Sequence, residues 1–172
     1  MVAIAVAMGL LVGGCGGDGT SAPADVTSTT QPESAPTTNV QDQVTSSTSP
    51  DGVVSMETAL SGASEVPGPG DPDGRGTAKL RVDQQKRQIC FELSVSGVGP
   101  ATAAHIHKGR AGQAGDIVVP LTPAPANGSS QGCVTTEANF AAVLVGDPVS
   151  YYVNVHNAEL PGGAVRGQLG PQ

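Results

Sequence analysis

The sequence predicts an antiparallel all-β domain, a sandwich or barrel of about eight short strands with one short helix. Gly (24) and Pro (14) supply 38 of the 172 residues, too many helix breakers for a long helical bundle. From Val53 onward, short runs of period-two alternation recur between Gly- and Pro-rich turns, which is the pattern of a half-buried antiparallel sheet. The length allows one domain plus appendages.

The predicted elements follow in order. Val54–Leu60 opens the domain, and Pro67-Gly68-Pro69-Gly70-Asp71-Pro72-Asp73-Gly74 is a turn or loop. Thr77–Val82 places Ala78, Leu80 and Val82 on one face. Ile89–Val95 is the strongest strand, with Ile89, Phe91, Leu93 and Val95 opposite Gln88, Cys90, Glu92 and Ser94. Thr102–His107, Ile117–Leu121, Gly132–Thr135, Tyr151–His156 and Ala164–Leu169 complete the set. The helix is expected over Thr136–Val145, N-capped by Thr135 or Thr136, with Phe140 and Leu144 as i,i+4 partners and Gly146-Asp147-Pro148 as the stop. Lys79, Arg81, Lys86 and Arg87 cluster across a hairpin turning at Asp83-Gln84-Gln85 and read as a solvated sheet edge that discourages aggregation.

Two segments precede the domain. Val2–Val12 is an apolar run too short to span ~30 Å of hydrocarbon as a helix, but of h-region length for a signal peptide. It ends in Leu11-Val12-Gly13-Gly14-Cys15, which is similar to a bacterial lipobox; residues 1–15 are therefore expected to be a lipoprotein signal peptide with Cys15 as the lipidated residue. No Lys or Arg precedes the run, which points to a true start upstream of Met1. The expected address is the extracytoplasmic face of the cell membrane, held by the lipid on Cys15. Residues 16–52 hold 14 Ser or Thr, no aromatic and no Lys or Arg, and read as a disordered tether. Its r.m.s. span as a flexible coil is about 35 Å. Residues 53–172 form the domain.

The formal charge of −7 comes mostly from the tether, which carries five of the fifteen acids and none of the eight bases. Ten acids and eight bases leave the domain at −2, so no acidic patch is implied. With so few clustered cations, nucleic acid is excluded as a partner.

Lipid claims Cys15, leaving Cys90 and Cys133 in an exported domain where oxidation is permitted. Both lie in strands, on the face opposite the apolar set, and are expected to form a disulfide across the sheet. Closing a loop of about 44 residues is worth ~4 kcal/mol by chain entropy.

Several motifs point to one family. Leu60-Ser61-Gly62-Ala63-Ser64-Glu65-Val66-Pro67, Gly76-Thr77-Ala78, Ala103-Ala104-His105-Ile106-His107-Lys108-Gly109, Tyr152-Val153-Asn154-Val155-His156 and Pro161-Gly162-Gly163-Ala164-Val165-Arg166-Gly167-Gln168-Leu169 occur in this order. Together they resemble the CHRD domain, a module named after chordin and common in bacterial secreted proteins. The resemblance spans Val53–Leu169 and implies an immunoglobulin-like or Cu,Zn superoxide dismutase-like sandwich. It implies little about activity. This sequence departs from the pattern in having Ala164 where an acid is frequent, which leaves Arg166 without an obvious partner, and in adding the Cys90/Cys133 pair.

All three histidines lie in predicted strands. The i,i+2 spacing puts His105 and His107 on one face, and Asn154 and His156 share the face opposite Val153 and Val155. If the two strands are neighbours, three imidazoles converge. Neutral imidazole suits Zn, Cu, Fe or Ni, and three ligands leave an open position for water or substrate. The arrangement resembles the copper ligands of Cu,Zn superoxide dismutase, without a fourth, bridging histidine or a His-rich zinc loop. Asp116 is an available oxygen ligand that nothing in its spacing demands.

Alternatives remain open for both marked groups. The histidines are either hydrogen-bonding residues that tie down the Gly109–Gly115 and Asn157–Gly163 segments, or ligands of a metal such as Cu or Zn. Arg166 is either a surface arginine paired with an acid or an anion-attracting group beside a metal. No Ser/His/Asp or Cys/His arrangement has a recognisable motif context, and no Gly-rich phosphate loop opens a helix, so no catalytic residue is assigned. The expected role is a non-enzymatic binding or structural module of the cell envelope, acting on an envelope or extracellular partner; the alternative is a Cu- or Zn-binding domain.

Overall fold

Strand β4 (Gln88–Ser96) organises the core: Ile89, Phe91, Leu93 and Val95 are all buried, while Glu92, Ser94 and Ser96 are exposed. It pairs with β3 (Arg75–Asp83) from Arg75↔Ser96 to Asp83↔Gln88, which sets Ala78, Leu80 and Val82 beside the same apolar face. Burying each of these large side chains contributes roughly 1.5–3 kcal/mol.

The computed structural model describes residues 45–170. Besides β3 and β4 these form β1 (Thr45–Thr48), β2 (Val53–Ser61), β5 (Ala101–Lys108), β6 (Ile117–Pro120), β7 (Ser129–Thr135), α1 (Phe140–Gly146), β8 (Tyr151–Asn157) and β9 (Val165–Gln168). Single 3-10 turns occupy Gly62–Ser64 and Pro148–Ser150. All pairing is antiparallel, in the order β6-β5-β8-β9-β2-β3-β4-β7, with β1 added to β2. The fold is thus all-β with one short helix, as the alternation predicts. The sheet narrows at one place, because β9 and β2 share only the pair Ser61↔Arg166. On one side of it lie β6-β5-β8-β9 and on the other β2-β3-β4-β7 with β1, and one apolar cluster joins them, including Leu80 and Phe91 from one side and Ile106 and Val153 from the other.

Cys90 and Cys133 form the disulfide, directly opposite each other on the adjacent strands β4 and β7. Three expectations need correction. Regular structure begins at Thr45, inside the stretch that composition assigns to the tether. The turn Ser49–Gly52, with Ser49 N–H donating to Val53 O at 2.9 Å, folds β1 back onto β2. Residues 46–48 stay exposed and add nothing apolar, so no periodicity marks them. The helix starts at Phe140 rather than Thr136, because Thr136 is bonded to Arg87 O and Asn139 adopts a left-handed backbone (φ +76°). Lys79 and Arg81 are not at an edge: β3 is paired on both sides, and Lys79 stands between Glu57 and Glu92, 4.0 Å from the Glu57 carboxylate. The signal-peptide and Cys15 assignments, and the tether up to residue 44, lie outside the described residues.

Candidate metal centre

The site is built on β5, β8 and β9. In β8 the alternation holds on one side, with Val153 and Val155 fully buried against the core. Tyr152, Asn154 and His156 therefore share the other side. Register then fixes the neighbours. His105 is opposite Asn154, His107 is opposite Tyr152, and His156 is opposite Ala103, one step along from His105. On the far side of β8, Arg166 is opposite Asn154 and Gln168 is opposite Tyr152.

The three imidazoles meet. Ring centroids are 5.5 Å apart for His105–His107, 5.0 Å for His105–His156 and 5.8 Å for His107–His156. One ring nitrogen from each lies within 4.8 Å of the others. His105 Nδ1 is 3.1 Å from His156 Nε2. A carbonyl only accepts, so the proton assignment follows: His107 Nδ1–H donates to Gly115 O at 2.9 Å, and His156 Nδ1–H donates to Pro161 O at 3.0 Å. Both Nε2 atoms are left with a lone pair, and His107 Nε2 has no partner. Engagement of the second ring nitrogen by a carbonyl is the arrangement that orients metal-ligating histidines.

This face is covered, not open to solvent as plain strand alternation suggests. Every residue of β8 and β9 is buried. The segment after β5 folds over the site: Gly115 N–H donates to the Tyr152 hydroxyl at 3.2 Å, and Gln168 Nε2–H donates to Gly109 O at 2.9 Å. Gly115 permits this approach, since a Cβ there would collide with the Lys108 carbonyl. The segment after β2 covers the other end. It carries Glu65, whose carboxylate accepts from Asn154 Nδ2–H at 3.0 Å. Gly163 (φ +144°) makes room for that carboxylate, which a side chain there would strike.

Burial holds all three histidines below the ordinary imidazole range. His105 is pushed down to about 4 by burial, then by its two histidine neighbours. His107 and His156 are also lowered, chiefly by burial, against the opposing pull of the Gly115 and Pro161 carbonyls. All three are neutral at pH 7, the form that binds metal. Asp116 is exposed, lies outside the three-histidine group, and acts on His107 only through its charge, which raises that histidine's pKa.

Arg166 is not a surface arginine. It is 1% exposed, and its guanidinium carbon lies 3.4 Å from the centroid of the Tyr152 ring. Its Nη2–H donates to Arg110 O at 2.9 Å and to Gln168 Oε1 at 3.2 Å. Tyr152 also stacks on His107, with centroids 4.9 Å apart and planes 11° off parallel, and so links the guanidinium to the imidazoles. Sequence reasoning missed Glu65, Tyr152, Asn154 and Gln168 as members of this network. Each lay inside a motif, but the contacts join strands and loops up to 89 residues apart.

The fold and site define a class: an all-β domain in which one half-sheet has an apolar core face and a loop-covered polar face lined by histidines. The chain belongs to the CHRD domain family, whose family model matches residues 56–169. No curated protein and no solved structure matches it.

Proposed function

We propose that this CHRD domain is a non-enzymatic binding module that holds one transition-metal ion, Cu or Zn, through His105, His107 and His156. We also propose that a lipid on Cys15 displays it on the outer face of the cell membrane. One observation carries the metal reading: three neutral imidazoles present ring nitrogens within 4.8 Å of one another, two of them with Nδ1 already engaged by a carbonyl. Imidazole nitrogens suit Zn and Cu, and convergence at 2.0–2.1 Å from one point needs only small side-chain adjustments from this spacing. The His105 Nδ1–H that donates to His156 Nε2 is the proton an incoming ion displaces; His105 then carries its proton on Nε2. The lipobox-like Leu11–Cys15 and the Ser/Thr-rich segment after it support the membrane address.

The His105–His156 hydrogen bond favours a second reading, in which the histidines only tie loops to the sheet. Elemental analysis of the purified chain, as isolated and after Cu or Zn loading, separates the two. One equivalent of metal, lost in His105→Ala, supports the centre. No stoichiometric metal after loading leaves the structural role. Mass spectrometry of the membrane fraction tests the address. A lipid-modified N-terminal Cys15 supports it, and an unmodified soluble chain beginning elsewhere overturns it.

A further inference from the structure

The donor set of the histidine centre is entirely neutral. His105, His107 and His156 bring no charge to an ion held between them, and among the described residues no Asp, Glu or Cys joins the group. Asp116 is exposed and lies outside it.

A buried positive charge stands beside the centre instead. Arg166 is buried, and among the described residues the ion pairs are Lys79–Glu57, Lys86–Asp83 and Arg110–Asp147, so its guanidinium has no salt-bridge partner. Its central carbon is 3.4 Å from the centroid of the Tyr152 ring, and that same ring stacks on His107 with centroids 4.9 Å apart. Its hydrogen bonds go to Arg110 O and Gln168 Oε1, not to a histidine, so it acts on the centre through its charge. Burial is the main cause that lowers the His107 pKa, and the Arg166 charge adds to it against the pull of the Gly115 carbonyl and Asp116. Glu65 is the only buried acid among the described residues. Burial raises its pKa to about 7 despite Arg166, so at pH 7 it is only partly ionised and offsets the guanidinium incompletely.

Repulsion from a fixed cation grows with the charge of the ion, and more so where the dielectric is low. A dication therefore loses more at this centre than a monovalent ion does. Cu(II) also favours a square-planar or tetragonal set of ligands, and the group offers three nitrogens.

We infer that the three-histidine centre is a site for monovalent copper, Cu(I), and that the Arg166 charge, acting past the Tyr152 ring, is what disfavours Cu(II) and Zn. The inference rests on the metal reading above and narrows it to one ion in one oxidation state.

The test uses the purified full chain carrying Cys15→Ser, which removes the one thiol outside the disulfide as a competing copper ligand. Cu(I), kept reduced by ascorbate, is titrated at pH 7 against a Cu(I)-specific chromophoric chelator, and Zn and Cu(II) against chelators of their own. One equivalent of Cu(I) binds at least tenfold more tightly than either dication, and binding is lost in His105→Ala. Potentiometric titration of the copper-loaded chain then isolates the arginine. Arg166→Gln narrows the Cu(I)-to-Cu(II) affinity ratio at least tenfold, a fall of about 59 mV or more in potential, whereas Arg166→Lys, which keeps the charge, holds the wild-type potential. If thermal unfolding shows the Arg166 variants unfolded, the wild-type affinities decide alone. Zn or Cu(II) bound as tightly as Cu(I), or an unchanged potential in folded Arg166→Gln, overturns this inference and leaves the metal reading standing. Failure of every ion to bind at one equivalent overturns both.

Discussion

Metal retention in acid tests the burial of the histidine cluster most directly. The perturbation is a fall in pH from 7.5 to 5.5. An imidazole at the ordinary value of 6.5 is about 9% neutral at pH 5.5, whereas one at about 4 is about 97% neutral. For His105 alone, proton competition in an unperturbed site therefore costs about tenfold in affinity that this site does not lose. His107 and His156 are lowered in the same direction and add to the effect. The assay is competition against a chromophoric chelator of known pH dependence, with Zn as the probe. The expected loss between pH 7.5 and 5.5 is far below the roughly thousandfold that three ordinary imidazoles would give. Release centred near pH 6.5 with a three-proton slope would refute the reasoning, because it would mean that solvent reaches all three rings.

In the metal-free chain the same shifts set stability. Histidines depressed in the folded state contribute stability that is present above 6.5 and is lost as the pH falls towards about 4. Glu65 acts oppositely: raised from 4.5 to about 7, it contributes stability that is full below 4.5 and is lost as the pH rises through 7. Glu65→Gln should therefore flatten the alkaline side of a denaturation-versus-pH profile and leave the acid side; an unchanged alkaline side counts against a buried carboxyl. Cys90 and Cys133 should resist alkylation until reduced, and reduction should cost about 4 kcal/mol by denaturant titration; a loss of only tenths would show that the closed loop hardly constrains the unfolded chain. Gly115→Ala should weaken metal binding severalfold while preserving the β-sheet circular dichroism, since the added Cβ pushes the loop, and the carbonyl that orients His107, off the sheet. Unaltered affinity would show that His107 needs no such orientation.

Strands β2, β3, β4, β5 and β8 were legible because they set apolar residues at period two against one continuous core, and Ile89–Val95 shows that pattern without a break. Thr45–Thr48 was not, because its four residues are all Ser or Thr and carry no apolar alternation. The faces of His105, His107 and His156 followed from strand period alone. Their convergence depended on β5 and β8 being neighbours, which no local signal specifies, and it is met by the register from Ala103↔His156 to His107↔Tyr152. What alternation misread was exposure. Polar residues on β8 and β9 imply a solvated face, yet Asn154, His156, Arg166 and Gln168 are all buried by segments distant in sequence. Arg166 shows the limit most clearly, since its contacts are an aromatic ring, a loop carbonyl and Gln168 rather than an acid.

That covered polar face is also the reason to look for function there and not elsewhere on the sheet. A fold selected only for stability gains little from enclosing charges and imidazoles, because desolvation offsets what their contacts return and well-packed apolar residues do as well or better. The opposite half, β2-β3-β4-β7, follows the economical rule: apolar side chains inward, with Lys79, Arg81 and Glu92 exposed and Glu57 half-buried. The half built from β5, β8 and β9 breaks that rule with three histidines and an arginine, joined by Glu65 from the segment after β2, and among these residues Glu65 Oε1, His107 Nε2, Asn154 Oδ1, Asn157 Nδ2 and Arg166 Nη1 are without partners. Such departures from local consistency are expected where a chain binds something.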